Sequence, residues 1–271
     1  RSNLRMGARS QGIGVVQFAF ITTLYEGVPH LAGVTDLKTF TVDGVTTLYS
    51  GSEADGGLSA FRIEAGAPAE FLDQVGAAVN RGTYGLNALD VVSVAGQPVL
   101  VPAGRHDDRA AFHELTPDGG FDRVEILGAA PELIGGLEHL ATIQVQDKTF
   151  MVASQWGEEG FRSYRIRDDL TVEHKRHFAD TETAAIADIN DMVSLEFPVR
   201  RFFFTASTEE DGVTSWWMGR YGNIKERDTL TAEDGLWVSD PTALATAWVD
   251  GDAFLVIGSA GSDSLSVARV N

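Results

Sequence analysis

The chain has 271 residues, 44% of them hydrophobic, and a net charge of −18 from 39 acidic and 21 basic residues, with no cysteine. That length can bury a large core, and no apolar run approaches the roughly 18 residues of a membrane-spanning helix. A surface this acidic repels phosphate backbones, so nucleic acid is excluded as a partner and cations or basic proteins suit it better. The lack of cysteine excludes disulfides, thiolate zinc sites and a thiol nucleophile, and it fits a secreted or extracellular protein.

The opening RSNLRMGARSQG has no apolar h-region and no initiator Met, so it reads as a processed or excised piece without a signal peptide. Residues 1–14, with Arg1, Arg5 and Arg9, are expected to form a flexible basic arm. VVQFAFITT, residues 15–23, then reads as a strand.

From Leu37 the chain repeats. LKTFTVDG alternates Phe40 and Val42 against Thr39 and Thr41, the period of a strand, and Asp43-Gly44 is a hairpin turn signal. TTLYSG, LSAFRI and EFLDQV follow as three further strands separated by turns. The stretch TTLYSGSEADGGLSAFRI from Thr46 returns at Pro98, Thr149, Arg201 and Ala253, with starts 52, 51, 52 and 52 residues apart. First strands are expected from Leu37, Leu89, Leu140, Met192 and Leu244, and fourth strands again at FDRVEIL, TVEHKRHF and NIKERDTL. GAAPELIGGLEHL is the nearest approach to a helix, and its two central glycines count against one.

Four antiparallel strands followed by a longer crossing make one blade of a propeller. The fold expected is all-β, a five-bladed β-propeller forming a single domain over residues 15–271. Its repeats are about 37–88, 89–139, 140–191, 192–243, and 244–271 completed by 15–36. The last copy stops after three strands. The positions 52 residues before Phe71–Val75 are Ala19–Thr23, so Gln17–Thr23 is expected to be the missing outer strand that closes the ring and hides its edges.

In such a ring the turns between second and third strands and the crossings between blades share one face. That face should be acidic, with Glu53, Asp55, Asp107, Asp108, Glu158, Glu209 and Asp263 in the turns and Asp36, Glu138, Asp188 and Asp191 in the crossings. A metal or a small polar ligand at the channel mouth would use Asp36, Glu138, His139 and Asp191, with Ca²⁺ the ion that such oxygen donors favour; the alternative is that these residues hydrogen-bond exposed strand ends while water fills the channel, and that the acidic turns are solubilising turn chemistry. Ligand contact is expected from Asn87, Glu138, His139, Asn190 and Asp191 at the entries to the first strands, and from the loop indoles Trp156 and Trp237. The aligned positions Phe61, His113, Tyr164, Trp216 and Ala268 are expected to pack between blades. His174 and His177, three apart on a strand, are expected to face opposite ways and so not to chelate. No G-x-S-x-G, HExxH or Walker signature occurs, and so many acidic residues near the mouth leave no single glycosidase pair to choose.

The repeat core, an apolar strand, Ala-Gly or Gly-Ser, an acidic turn and a third strand such as GLSAFRI, resembles the lactonase-like β-propellers. It looks most similar to propeller repeats of secreted alphaproteobacterial proteins, some of which carry RTX calcium repeats elsewhere in the chain. The resemblance covers about residues 17–270; its motif is structural and implies the fold. The function expected is an extracellular, lectin-like binding module that presents loops to a glycan, a protein or a small ligand. The alternatives are a lactonase- or glycosidase-type hydrolase with its site at the channel mouth, and a structural or adhesion domain of a larger assembly.

Overall fold

The computed structural model describes residues 28–76, 81–107, 109–126, 136–234 and 238–270. Five antiparallel sheets follow one another along the chain. The first holds β1 (Val34–Val42), β2 (Val45–Ser52), β3 (Gly57–Ile63) and β4 (Glu70–Val75), paired in chain order. The second holds β5 (Leu86–Val94), β6 (Gln97–Gly104), β7 (Ala111–Leu115) and β8 (Phe121–Ile126), and the third β9 (Leu137–Val145), β10 (Lys148–Gln155), β11 (Phe161–Ile166) and β12 (Val172–Phe178). The fourth holds β13 (Ile189–Glu196), β14 (Arg201–Ser207), β15 (Gly212–Met218) and β16 (Ile224–Thr231), and the last has three strands, β17 (Pro241–Val249), β18 (Asp252–Ser259) and β19 (Ser264–Val270). This is a five-bladed propeller, with first strands β1, β5, β9, β13 and β17 packed neighbour against neighbour along the channel. Gln17–Thr23, the segment expected to complete the last blade, lies outside the described residues. The one helical turn among the described residues is a 3₁₀ turn at Ala232–Asp234, and no helix there is long and apolar enough to cross a membrane.

The tight hairpins follow from their turn residues. Asp43 and Gly44 both have positive φ, 48° and 84°, the requirement of a type I′ turn whose twist matches the flanking strands. Each first strand begins about three residues earlier than the sequence pattern suggests. The cause is an irregularity in pairing: the register of β1 on β2 slips between Val34 and Asp36, and the same slip recurs between Leu86 and Ala88, Ile189 and Asp191, and Pro241 and Ala243. In the third blade Leu140 pairs with Ala153 and Leu137 with Gln155, so Glu138 and His139 share one opposing residue. A bulge of this kind leaves a residue unpaired and re-aims its side chain, and it hides the strand's start from an alternation test.

The core lies between blades. Leu58, Val75, Leu86, Leu89, Leu100 and Leu115 join the first two sheets, and Ile143, Phe150, Phe161, Ile189, Phe203 and Trp216 join the third and fourth. Phe61, His113, Tyr164 and Trp216 are all buried. Trp216 stands edge-on to Phe161 and stacked on Phe203, and its Nε1–H donates to Thr205 Oγ1 at 3.0 Å, so the indole keeps its one polar bond inside an apolar seam.

Candidate functional site at the channel mouth

One backbone hydrogen bond recurs in every blade. The amides of Glu53, Arg105, Trp156, Thr208 and Ala260 donate to the carbonyls of Gly33, Gly85, Gly136, Asp188 and Asp240. Each ties the end of a second strand to the crossing that enters the same blade, so turns and crossings share one face. The side chains at these five equivalent positions therefore ring the same end of the channel, and they differ from blade to blade.

Arg105 is the hub of that ring. Its guanidinium is ion-paired to Glu53 from the blade before, reaches Glu138 Oε1 of the blade after at 3.9 Å, and lies 5.2 Å from the ring centre of Trp156. Trp156 is 58% exposed, an unusual state for a tryptophan in a folded domain. Beneath it, Asn87 Nδ2 lies 3.3 Å from the Glu138 carbonyl, to which it donates, and 3.0 Å from His139 Nε2. On the far side, Asn190 Nδ2 donates to Thr208 Oγ1 at 2.9 Å, and that hydroxyl donates to Asp188 Oδ2 at 2.7 Å. Burial raises the Glu138 carboxyl above its ordinary range; Arg105 opposes this and the charge of Asp188 adds to it. Burial likewise holds buried His139 neutral, its pKa lowered to about 4, with Asp188 opposing and Arg105 assisting. Three blades thus bring an exposed indole, a fixed guanidinium, two carboxylates that feel one another and two carboxamides to one mouth.

The other acidic positions lie on the channel wall and serve a different purpose. Asp36 accepts from Leu37 N at 2.7 Å and from Leu89 N, in the next blade, at 2.8 Å. Asp191 repeats this with Met192 N at 2.7 Å and Leu244 N at 2.6 Å, and Asp90 accepts from Thr142 N and Thr142 Oγ1. Each carboxylate staples one first strand to the following one. Burial raises Asp36, and it raises Asp191 to about 6, with the backbone donors opposing. Lys38 lies among them, 3.9 Å from Asp90 Oδ1; burial disfavours its charge, but Asp90, Asp36 and Asp191 together lift its pKa above the ordinary value.

Asp36, Glu138, His139 and Asp191 thus divide between two settings, Glu138 and His139 beside Arg105 and Asp36 and Asp191 beside Lys38. Among the described residues no three His, Asp or Glu side chains are grouped to hold a metal ion, so the donors expected for Ca²⁺ are not assembled as one set. Asn87, Glu138, Asn190 and Trp156 come together at the mouth; Trp237 and Asp108 lie outside the described residues. The reasoning that separated His174 from His177 is corrected by a bulge. His174 pairs with Tyr164 and His177 with Arg162, with the register slipping between Ser163 and Tyr164, so both imidazoles stand on one face. Sequence reasoning passed over Arg105 and Thr208, and it placed Asp188 only among the acidic crossings. Their signal was positional: Arg105 and Thr208 occupy the varying end of the second strand, and Asp188 stands where three other crossings carry glycine.

No family model and no curated protein matches the chain. Solved structures do, at low identity. A GH43_1 enzyme from Xanthomonas citri superposes with a TM-score of 0.56 over 89% of both chains at 13% identity. CoXyl43, a GH43 β-xylosidase/α-arabinofuranosidase from a compost microbial metagenome solved with xylotriose, gives 0.55 at 12% identity, covering 89% of this chain and 92% of that one. An exo-β-1,3-galactanase from Phanerochaete chrysosporium solved with galactose gives 0.57 at 8% identity, covering 89% of this chain and 61% of that one. The chain shares their fold.

Proposed function

We propose that the chain is a glycosidase-type hydrolase whose site is the channel mouth around Trp156, Arg105, Glu138 and Asp188. The observation that carries this reading is the Glu138 carboxyl, raised by burial and by the neighbouring charge of Asp188, beside an exposed indole. Glycoside hydrolysis needs one carboxyl that keeps its proton and a second that is ionised, facing the same bond. Glu138 holds the proton for the departing glycosidic oxygen. Asp188, fixed by Thr208, supplies the negative charge opposite. The Trp156 face packs on a sugar ring, and Arg105 and Asn190 supply donors to its hydroxyls. The fold is one that glycosidases of family 43 also use, which makes a glycan the favoured ligand class. The staples at Asp36, Asp90 and Asp191 are engaged by groups of the neighbouring strands and are assigned a structural part.

A glycan-binding module without turnover is the second reading. It is favoured by the partners of the mouth groups themselves: Arg105 is held by Glu53 and Glu138, and Asp188 by Thr208, an arrangement suited to fixed recognition. The two readings separate in one assay. Aryl glycosides and oligosaccharides are presented to the wild type, Glu138→Gln and Asp188→Asn. Hydrolysis that falls in both variants while binding persists supports the hydrolase; tight binding with no product from the wild type supports the module and removes the hydrolase.

A further inference from the structure

In the first two blades one carboxylate clamps the crossing to the turn of the same blade. Asp55 and Asp107 stand two residues after Glu53 and Arg105, and their side chains accept from the amides of Ala32 and Tyr84, each at 3.0 Å. Ala32 and Tyr84 directly precede Gly33 and Gly85, whose φ values of 64° and 65° lie in the left-handed region that glycine tolerates. The fourth blade departs from this pattern at both places. Its clamp is Glu210, one methylene longer, and Glu210 Oε2 accepts from two successive amides, those of Ile186 and Ala187, at 2.5 and 2.9 Å. The residue that follows is Asp188, exposed to solvent. Its φ is not left-handed, in contrast to Gly33, Gly85, Gly136 and Asp240 at the same repeat position. Just upstream, Ala185 N donates to Thr214 Oγ1 and the Ile186 carbonyl accepts from Gly160 N, both at 2.9 Å.

We propose that Glu210 is a positioning residue: it holds the crossing at residues 186–187 in a path of its own and so aims the Asp188 carboxylate across the mouth toward Glu138. The extra methylene is what reaches the second amide. With both amides taken, the chain enters position 188 without the left-handed turn that the other crossings make, and a side chain is accommodated there without that strain. The same turn then fixes Asp188 itself. Its carbonyl accepts from Thr208 N at 3.1 Å and its Oδ2 from Thr208 Oγ1 at 2.7 Å. Glu210 and Thr208 lie two residues apart, so the approach to Asp188, its backbone and its carboxylate are all held by one short piece of chain. Glu210 spends its charge on backbone donors and acts only through Asp188. The rise that Asp188 adds to the Glu138 carboxyl agrees with the direction in which Asp188 is aimed. The consequence for turnover rests on the glycosidase reading above; the placement of Asp188 does not.

Glu210→Asp in the full chain is the test, since it keeps the charge and removes the methylene. The Glu138 carboxyl is followed by carbon-13 NMR through a pH titration. Its pKa is expected to move down toward the ordinary glutamate range in Glu210→Asp and in Asp188→Asn alike, and no further in the double variant, because both act through one carboxylate. With an aryl glycoside that the wild type cleaves, Glu210→Asp is expected to lower kcat about 10-fold or more while KM stays within about 2-fold, and to cost nothing more in the Asp188→Asn background. A Glu138 pKa that Glu210→Asp leaves unchanged, a shift that adds in full to that of Asp188→Asn, or an unaltered kcat in an active enzyme each overturns the proposal. If the wild type cleaves no glycoside, the titration decides alone: the expected shift upholds the placement of Asp188 by Glu210 while the hydrolase reading falls. Should Glu210→Asp fail to fold, hydrogen exchange on the wild type decides. Protection of the Ile186 and Ala187 amides by at least about 10-fold over exposed amides supports the clamp, and free exchange there overturns it.

Discussion

Asn87 Nδ2 lies 3.0 Å from His139 Nε2, across the boundary between the second and third blades. A carboxamide nitrogen only donates, so Nε2 is the unprotonated nitrogen and the imidazole proton sits on Nδ1. The pKa near 4 keeps the ring neutral through the physiological range. His139 thus serves as a fixed acceptor that orients Asn87. Nitrogen-15 chemical shifts of this ring are expected to stay constant from pH 8 to pH 5, and protonation near pH 6.5 would contradict the assignment.

Three buried groups set the acid response. His113 and His139 are both lowered to about 4 from 6.5, so unfolding between those values takes up two protons. Asp191 is raised to about 6 from 3.8, so unfolding in that window releases one. On these three groups the unfolded chain binds about one proton more; the raised Asp36 and Glu138 carboxyls work against that excess, so stability falls as pH falls by no more than roughly 1 kcal/mol per pH unit between pH 6 and pH 5. Urea denaturation at the two values measures it; a flat or opposite trend would contradict the balance.

The staples are expected to hold the ring together. Asp191→Ala removes the acceptor of Leu244 N and Met192 N and leaves both amides to be satisfied elsewhere, a loss of about 1–3 kcal/mol. Thr205→Val strands the Trp216 Nε1–H in an apolar seam at a similar cost of about 1–3 kcal/mol. Both are read as a lower urea midpoint with the slope unchanged.

Substitutions at the mouth are expected to divide by role. Trp156→Ala removes the exposed ring and weakens glycan binding about 10-fold, the equivalent of about 1.4 kcal/mol, with kcat little changed. Glu138→Gln removes the proposed proton donor and is expected to lower kcat about 100-fold or more while binding persists. Because the Glu138 carboxyl is raised, wild-type kcat is expected to fall as pH rises through its pKa, above the ordinary glutamate range, and Glu138→Gln should abolish that limb.

The repeat made the blades legible: a period of about 52 residues located the strands, their pairing and the short fifth copy. Bulges were not legible, since one unpaired residue cancels the alternation that marks a strand. They moved the start of β1 from Leu37 to Val34 and put His174 and His177 on one face. Comparing equivalent positions drew attention to Asn87, Glu138, His139 and Asn190. It could not separate the exposed mouth from the stapled wall at Asp36 and Asp191, because that depends on which backbone amide each carboxylate meets in the following blade. Arg105 stayed hidden for the same reason: its partners Glu53 and Glu138 lie one blade away on either side, 52 and 33 positions distant.

The most direct test of the proposed glycosidase site is a crystal structure of Glu138→Gln soaked with an oligosaccharide that the wild type cleaves. A sugar ring packed on the Trp156 face, with a glycosidic oxygen within hydrogen-bond reach of the residue 138 carboxamide and of the space before Asp188, is the result expected. A sugar bound elsewhere on the ring, with the channel mouth occupied by water alone, would contradict it.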